Sequence, residues 1–89
     1  MTDIDQQFAQ AQADATQLPE RPGNLTLLRL YALYKQASVG DVQDDAPGFT
    51  DIAGKYKHEA WAALKGTPGD TAKARYVELV ESLKRGEAG

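Results

Sequence analysis

Four stretches of this 89-residue chain repeat their apolar residues at helical spacing, and none alternates at period two over a useful length. That pattern excludes a sheet-built domain and predicts an all-α chain. In the first stretch Ile4, Phe8, Ala11, Ala15 and Leu18 fall on one helix face. Asp3 and Gln6 ahead of it resemble a capping pair. Pro19, Pro22 and Gly23 punctuate a connector. The second stretch starts at Asn24 as N-cap and stops at Gly40. It carries Leu27, Leu28, Leu30, Tyr31, Leu33 and Tyr34, so it is apolar over more than one stripe. Residues 40–50, with Gly40, Pro47 and Gly48, read as a long loop. The third stretch runs from about Asp51 to Leu64. Gly66 stops it, Thr67 is the expected N-cap of the fourth, and Pro68 its first helical residue. Tyr76, Val77, Val80 and Leu83 form the last stripe, and residues 86–89 read as a frayed tail. The expected architecture is a single domain over residues 1–89, a four-helix bundle with one long connection between helices 2 and 3.

Composition narrows the function classes. There is no cysteine, hence no disulfide and no thiolate ligand or nucleophile. The net charge of −3 argues against general nucleic-acid binding. No apolar run approaches the ~18 residues of a membrane span, so no stable membrane insertion is expected. The acidic "MTDIDQQFAQ" lacks the layout of a signal peptide, which points to the cytoplasm. Charge is uneven. The first twenty residues hold four acids and no base, and the ten bases all lie from Arg21 onward. A basic pocket within a mildly acidic protein is therefore open. Enzyme signals are poor. His58 is the one histidine, no phosphate loop, nucleophile elbow or zinc spacing is present, and Asp44 and Asp45 lack the alternating oxygens of a calcium loop. Neither metal nor cofactor is expected.

One constellation is sharper. Tyr31 and Lys35 are i, i+4 neighbours on one face of the second helix, Lys57 lies one turn before Trp61, and Tyr76 opens the last stripe. If these faces converge, two ammoniums and two phenols surround a cavity suited to a phosphorylated ligand with an apolar part. Spacing alone leaves open the alternative of half-buried tyrosines and outward-snorkelling lysines.

The string from Leu30 to Lys84 also closely resembles the acyl-CoA-binding protein family. The specific blocks are "YKQASVGD" (34–41), "PG" (47–48), "GKYKHEAW" (54–61), "LKG" (64–66) and Tyr76, spaced without gaps. The resemblance covers Phe8 to about Leu83. It implies four helices in an up-down-down-up arrangement, the second antiparallel to the others, and a bowl that binds medium- to long-chain acyl-CoA thioesters. By resemblance, Tyr31 and Lys35 contact the adenine and ribose 3′-phosphate. Lys57 supplies a second phosphate-binding ammonium, and Tyr76 a ligand contact. Leu27, Leu28 and Ile52 fall on the acyl side. Phe8, Ala15, Leu18, Val77, Val80 and Leu83 form the seam between first and last helices. Ala32, Leu33 and Tyr34 share the Tyr31 stretch and count as candidate contacts, although Tyr34, one turn after Leu30, also fits a packing role. Thr16 sits where many members carry a ligand-reaching lysine. Ala53, His58 and Gln12 are further departures, where a basic residue, a tryptophan and an alanine are usual. The implied function is a monomeric acyl-CoA carrier and pool former, not an enzyme, in transient contact with acyl-CoA-using enzymes. The competing class is a helical protein-interaction module.

Overall fold

A computed structural model describes residues 3–43 and 51–86. Asp44, Asp45, Pro47 and Gly48 of the expected loop, and residues 87–89 of the expected tail, lie outside the described residues. Four helices follow one another: α1 (Ile4–Ala15), α2 (Asn24–Ser38), α3 (Ile52–Ala62) and α4 (Gly69–Lys84). Among the described residues there is no strand, and no helix is long and apolar enough to cross a membrane.

Helix ends follow local chemistry. Asp3 caps α1 by accepting the Asp5 N–H at 3.0 Å. Asp51 caps α3 through the Gly54 N–H at 2.9 Å. Two expected caps shift by one residue. Gly23, not Asn24, is the N-cap of α2, because the Leu27 N–H reaches the Gly23 carbonyl at 3.0 Å. Pro68, not Thr67, is the N-cap of α4, its carbonyl taking the Ala72 N–H, while the Thr67 N–H closes the preceding turn onto Leu64. Proline suits that position because the missing N–H has no partner to lose there. The third helix ends two residues before Leu64. Tighter turns from Leu64 to Trp61 and from Lys65 to Ala62 lead into Gly66, whose φ of 90° is a left-handed stop.

Packing is α1 on α4, α4 on α2 and α2 on α3. Ion pairs from Lys73 to Asp5 and from Lys84 to Asp14 (3.1 Å) show that α1 and α4 run parallel. The start of α4 approaches the end of α2, with Gly69 beside the Ala37 carbonyl, so these two are antiparallel. Lys57 of α3 meets Tyr31 of α2, and one turn on Trp61 meets Lys35, so α2 and α3 are parallel. The order is up-down-down-up. The second helix is thus antiparallel to α1 and α4 but not to α3, which corrects the expectation that it opposes all three.

The core joins Phe8 and Ala11 of α1, Leu30 and Leu33 of α2, and Ala72, Tyr76, Leu79, Val80 and Leu83 of α4. Phe8 meets Tyr76 edge-on at 5.2 Å between centroids, a favourable quadrupole geometry. Ala15, Leu18 and Val77 pack partly buried against this cluster. From α3 only Trp61 is buried. The third helix therefore lies on α2 as a flank, leaving an open edge where the two meet.

Candidate functional site

That edge carries a crossed pattern of cations and rings. On α2, Tyr31 and Lys35 are one turn apart; on α3, Lys57 and Trp61 are one turn apart. Because the helices are parallel, each lysine stands opposite an aromatic ring. The Lys57 Nζ lies 5.4 Å from the Tyr31 ring centroid, and the Lys35 Nζ 5.3 Å from that of Trp61. Both distances fall within the roughly 6 Å reach of a cation–π contact. The two positions step about 6 Å along the helix axes.

The other lysines with strong partners serve the fold. Lys73 and Lys84 tie α4 to α1, and their carboxylate partners raise both ammonium pKa values. Neither Lys35 nor Lys57 pairs with a carboxylate among the described residues. Their charge is held by aromatic faces and stays available to an anion.

Beside the Tyr31–Lys57 contact lies a cavity of about 440 Å³, lined by Arg21, Asn24, Leu27, Leu28, Ala53, Tyr56 and Lys57. The structure thus brings together Leu27, Leu28 and Lys57 of the expected site, with Tyr31 at their edge. Ile52, the first residue of α3, is 63% exposed next to Ala53. Ala53 contributes a small, uncharged side chain to the wall.

The remaining candidates lie elsewhere. Ala32 and Leu33 are buried and line a different cavity of about 650 Å³, with Arg29, Ala60, Ala63 and Arg75. They sit about 100° and 200° around α2 from Tyr31, so the helix turns them away from the lysine face. The structure therefore places them on a different face of α2 from Tyr31. Tyr76 is buried against Phe8 and does not line the Leu27–Leu28 cavity. Burial, and then the neighbouring Tyr34, push its phenol pKa upward. Tyr34 is half-exposed with its ring 6.2 Å from Phe8, so a row Tyr34–Phe8–Tyr76 crosses the bundle. Thr16 is the exposed C-cap of α1, and its hydroxyl donates to the Ala13 carbonyl at 2.7 Å. Gln12 donates to the Phe8 carbonyl at 3.4 Å.

Sequence reasoning missed Arg21, Asn24 and Tyr56 as cavity walls, and Trp61 as the seat of Lys35. The signal for Trp61 was its i+4 spacing from Lys57, matching that of Lys35 from Tyr31. Among the described residues no group of three His, Asp or Glu could hold a metal ion.

Comparison with known proteins agrees with this geometry. The family model described as "Acyl CoA binding protein" matches residues 5–80. The acyl-CoA-binding protein of Saccharomyces cerevisiae is 41% identical over 80 residues, covering 90% of this chain and 92% of the relative. Acyl-CoA-binding protein homolog 1 of Caenorhabditis elegans is 47% identical over 76 residues, covering 85% and 88%. The crystal structure of Oryza sativa acyl-CoA-binding protein 2 superposes with a TM-score of 0.90 at 34% identity, over 94% of this chain and 93% of that one. A match across nearly the whole chain in sequence and in fold leaves one conclusion: the chain belongs to the acyl-CoA-binding protein family.

Proposed function

We propose that this protein binds medium- to long-chain fatty acyl-CoA thioesters without making or breaking a bond, and so acts as a carrier and pool former. The observation that carries the reading is the crossed pair of ring-held lysines beside an apolar cavity. An acyl-CoA has two incompatible halves. Its head bears a 3′-phosphate, a diphosphate and a flat adenine; its tail is hydrocarbon. Lys35 and Lys57 serve the phosphates, each charge-assisted bond contributing about 1.5–3 kcal/mol. Tyr31 offers its ring to the adenine. Leu27, Leu28 and Ala53 line the space for the tail. Burying ten methylenes contributes up to about 8 kcal/mol before ordering is subtracted. Nanomolar binding, about −12 kcal/mol, is within reach of these terms.

The chemistry of the site is binding chemistry. It offers cations, rings and apolar wall, with no nucleophile–base pair. The same reading has the protein working as a cytoplasmic monomer that meets acyl-CoA-using enzymes transiently, with the acyl-CoA as its sole small-molecule ligand. Isothermal titration with palmitoyl-CoA, coenzyme A and palmitate tests it. Palmitoyl-CoA binding far more tightly than either half alone is expected. Palmitate binding as tightly as its CoA ester would overturn the reading.

A further inference from the structure

A closed circuit of contacts surrounds Lys35. Its own carbonyl accepts the Val39 N–H at 2.8 Å and the Gly40 N–H at 3.3 Å. The Gly40 carbonyl accepts the Trp61 indole N–H at 2.8 Å. The Trp61 ring then receives the Lys35 ammonium on its face. Gly40 has φ 96°, a left-handed conformation that suits glycine and aims its carbonyl. The corner is pinned again next door. The Asp41 carboxylate accepts from Gln36 Nε2 and the Gly66 N–H, both at 2.8 Å, and Gln36 also donates to the Thr67 carbonyl at 2.9 Å. Trp61 itself is 8% exposed. Moving the indole therefore breaks its bond to the Gly40 carbonyl just past the end of α2.

What such a seat does follows from the chemistry of lysine. A free lysine side chain samples many rotamers and loses up to roughly 2 kcal/mol of entropy when fixed. A carboxylate would fix it but would compete with the ligand's phosphate. An aromatic face restrains the ammonium without neutralising it, leaving its N–H donors directed elsewhere. We propose that Trp61 is a positioning residue, which presets Lys35 for the 3′-phosphate and so makes the site prefer acyl-CoA over its 3′-dephospho analogue. The inference rests on the acyl-CoA reading above.

The test compares palmitoyl-CoA with palmitoyl-dephospho-CoA by calorimetry on wild type, Trp61→Leu, Lys35→Ala and the double variant. Trp61→Leu should weaken palmitoyl-CoA binding about two- to five-fold, because Lys35 must then lose side-chain entropy on binding, and leave the dephospho ligand unchanged. In the Lys35→Ala background it should weaken palmitoyl-CoA no further. Equal weakening of both ligands, or the same loss with Lys35 absent, would overturn the role of Trp61 while leaving the carrier reading intact. Wild type that fails to bind palmitoyl-CoA would overturn the carrier reading and this inference with it. A readout on the folded wild type covers the case of a leucine variant that does not fold. By NMR the Lys35 ε-methylene protons should lie upfield of those of Lys55, shifted by the indole ring current. Coincident shifts would overturn the proposal.

Discussion

Replacing Lys57 by alanine separates a binding role from a structural one, and Lys55 supplies the matched control. Lys57 is exposed and pairs with no carboxylate among the described residues; its recorded partner is the Tyr31 ring at 5.4 Å. An exposed cation–π contact contributes about 0.5–1 kcal/mol, so the fold should lose no more than that. A phosphate contact is worth more. Losing a charge-assisted hydrogen bond of about 1.5–3 kcal/mol raises Kd about 10- to 150-fold. Lys55 carries the same charge two residues earlier, about 200° around α3, and does not line the cavity. Its charge acts on the ligand only through solvent, where salt screens it beyond about 8 Å. Calorimetric titration with palmitoyl-CoA at physiological salt should show a large loss for Lys57→Ala and almost none for Lys55→Ala. Thermal melts of both should stay close to wild type. Equal losses would mean that the protein attracts the ligand by its overall field. An unfolded Lys57→Ala protein would mean that the lysine holds the helices together.

Two further outcomes follow from the core and the charge network. Val80 is fully buried in the core beside Phe8 and Tyr76, so Val80→Ala should cost about 2–3 kcal/mol in urea unfolding, from lost transfer energy and the cavity left behind. Palmitoyl-CoA affinity should be unchanged, and a loss under about 1 kcal/mol would contradict close packing there. Acid should weaken the fold through two carboxylates. The Gln10 amide and then Lys84 hold the Asp14 carboxyl below its ordinary 3.8, and the Gly66 N–H and then Gln36 do the same for Asp41. A carboxyl that ionises more readily folded than unfolded stabilises the fold fully above 3.8, and that contribution fades as pH falls below it. The double variant Asp14→Asn/Asp41→Asn, followed by urea unfolding against pH, should flatten this acid limb. An unchanged limb would assign the loss to other groups.

Much of the fold is legible from local chemistry. The stripe of Ile4, Phe8, Ala11 and Ala15 has one face and one use, and the structure puts Phe8 and Ala11 in the core. Gly40 and Gly66 stop helices because each turns left-handed with no Cβ to clash. Helix starts slip by one residue at Gly23 and Pro68 because the backbone carbonyl, not the neighbouring polar side chain, receives the first N–H. Helix direction is less legible. No spacing within α2 or α3 says whether the two run parallel; the long connection permits it, and the Tyr31–Lys57 and Lys35–Trp61 contacts establish it. The site divides the same way. Spacing puts Tyr31 and Lys35 on one face but does not separate a binding face from a packing face. The second helix is apolar on both, with Leu27 and Leu28 toward one cavity and Ala32 and Leu33 toward another. Shared position in the Tyr31 stretch therefore does not tell Ala32 and Leu33 apart from the residues of the Leu27–Leu28 cavity. Trp61 escaped notice because a buried indole ordinarily reads as core, and its service to Lys35 depends on a helix distant in sequence.

The most direct measurement is a backbone and side-chain NMR shift map during titration with palmitoyl-CoA. The account predicts large changes at Leu27, Leu28, Tyr31, Lys35, Lys57 and Trp61, with Arg29, Ala32, Ala63 and Arg75 nearly unmoved across the bundle. Changes concentrated at Ala32, Leu33, Ala63 and Arg75, with Lys35 and Lys57 unmoved, would contradict it by placing the ligand on the opposite side of α2.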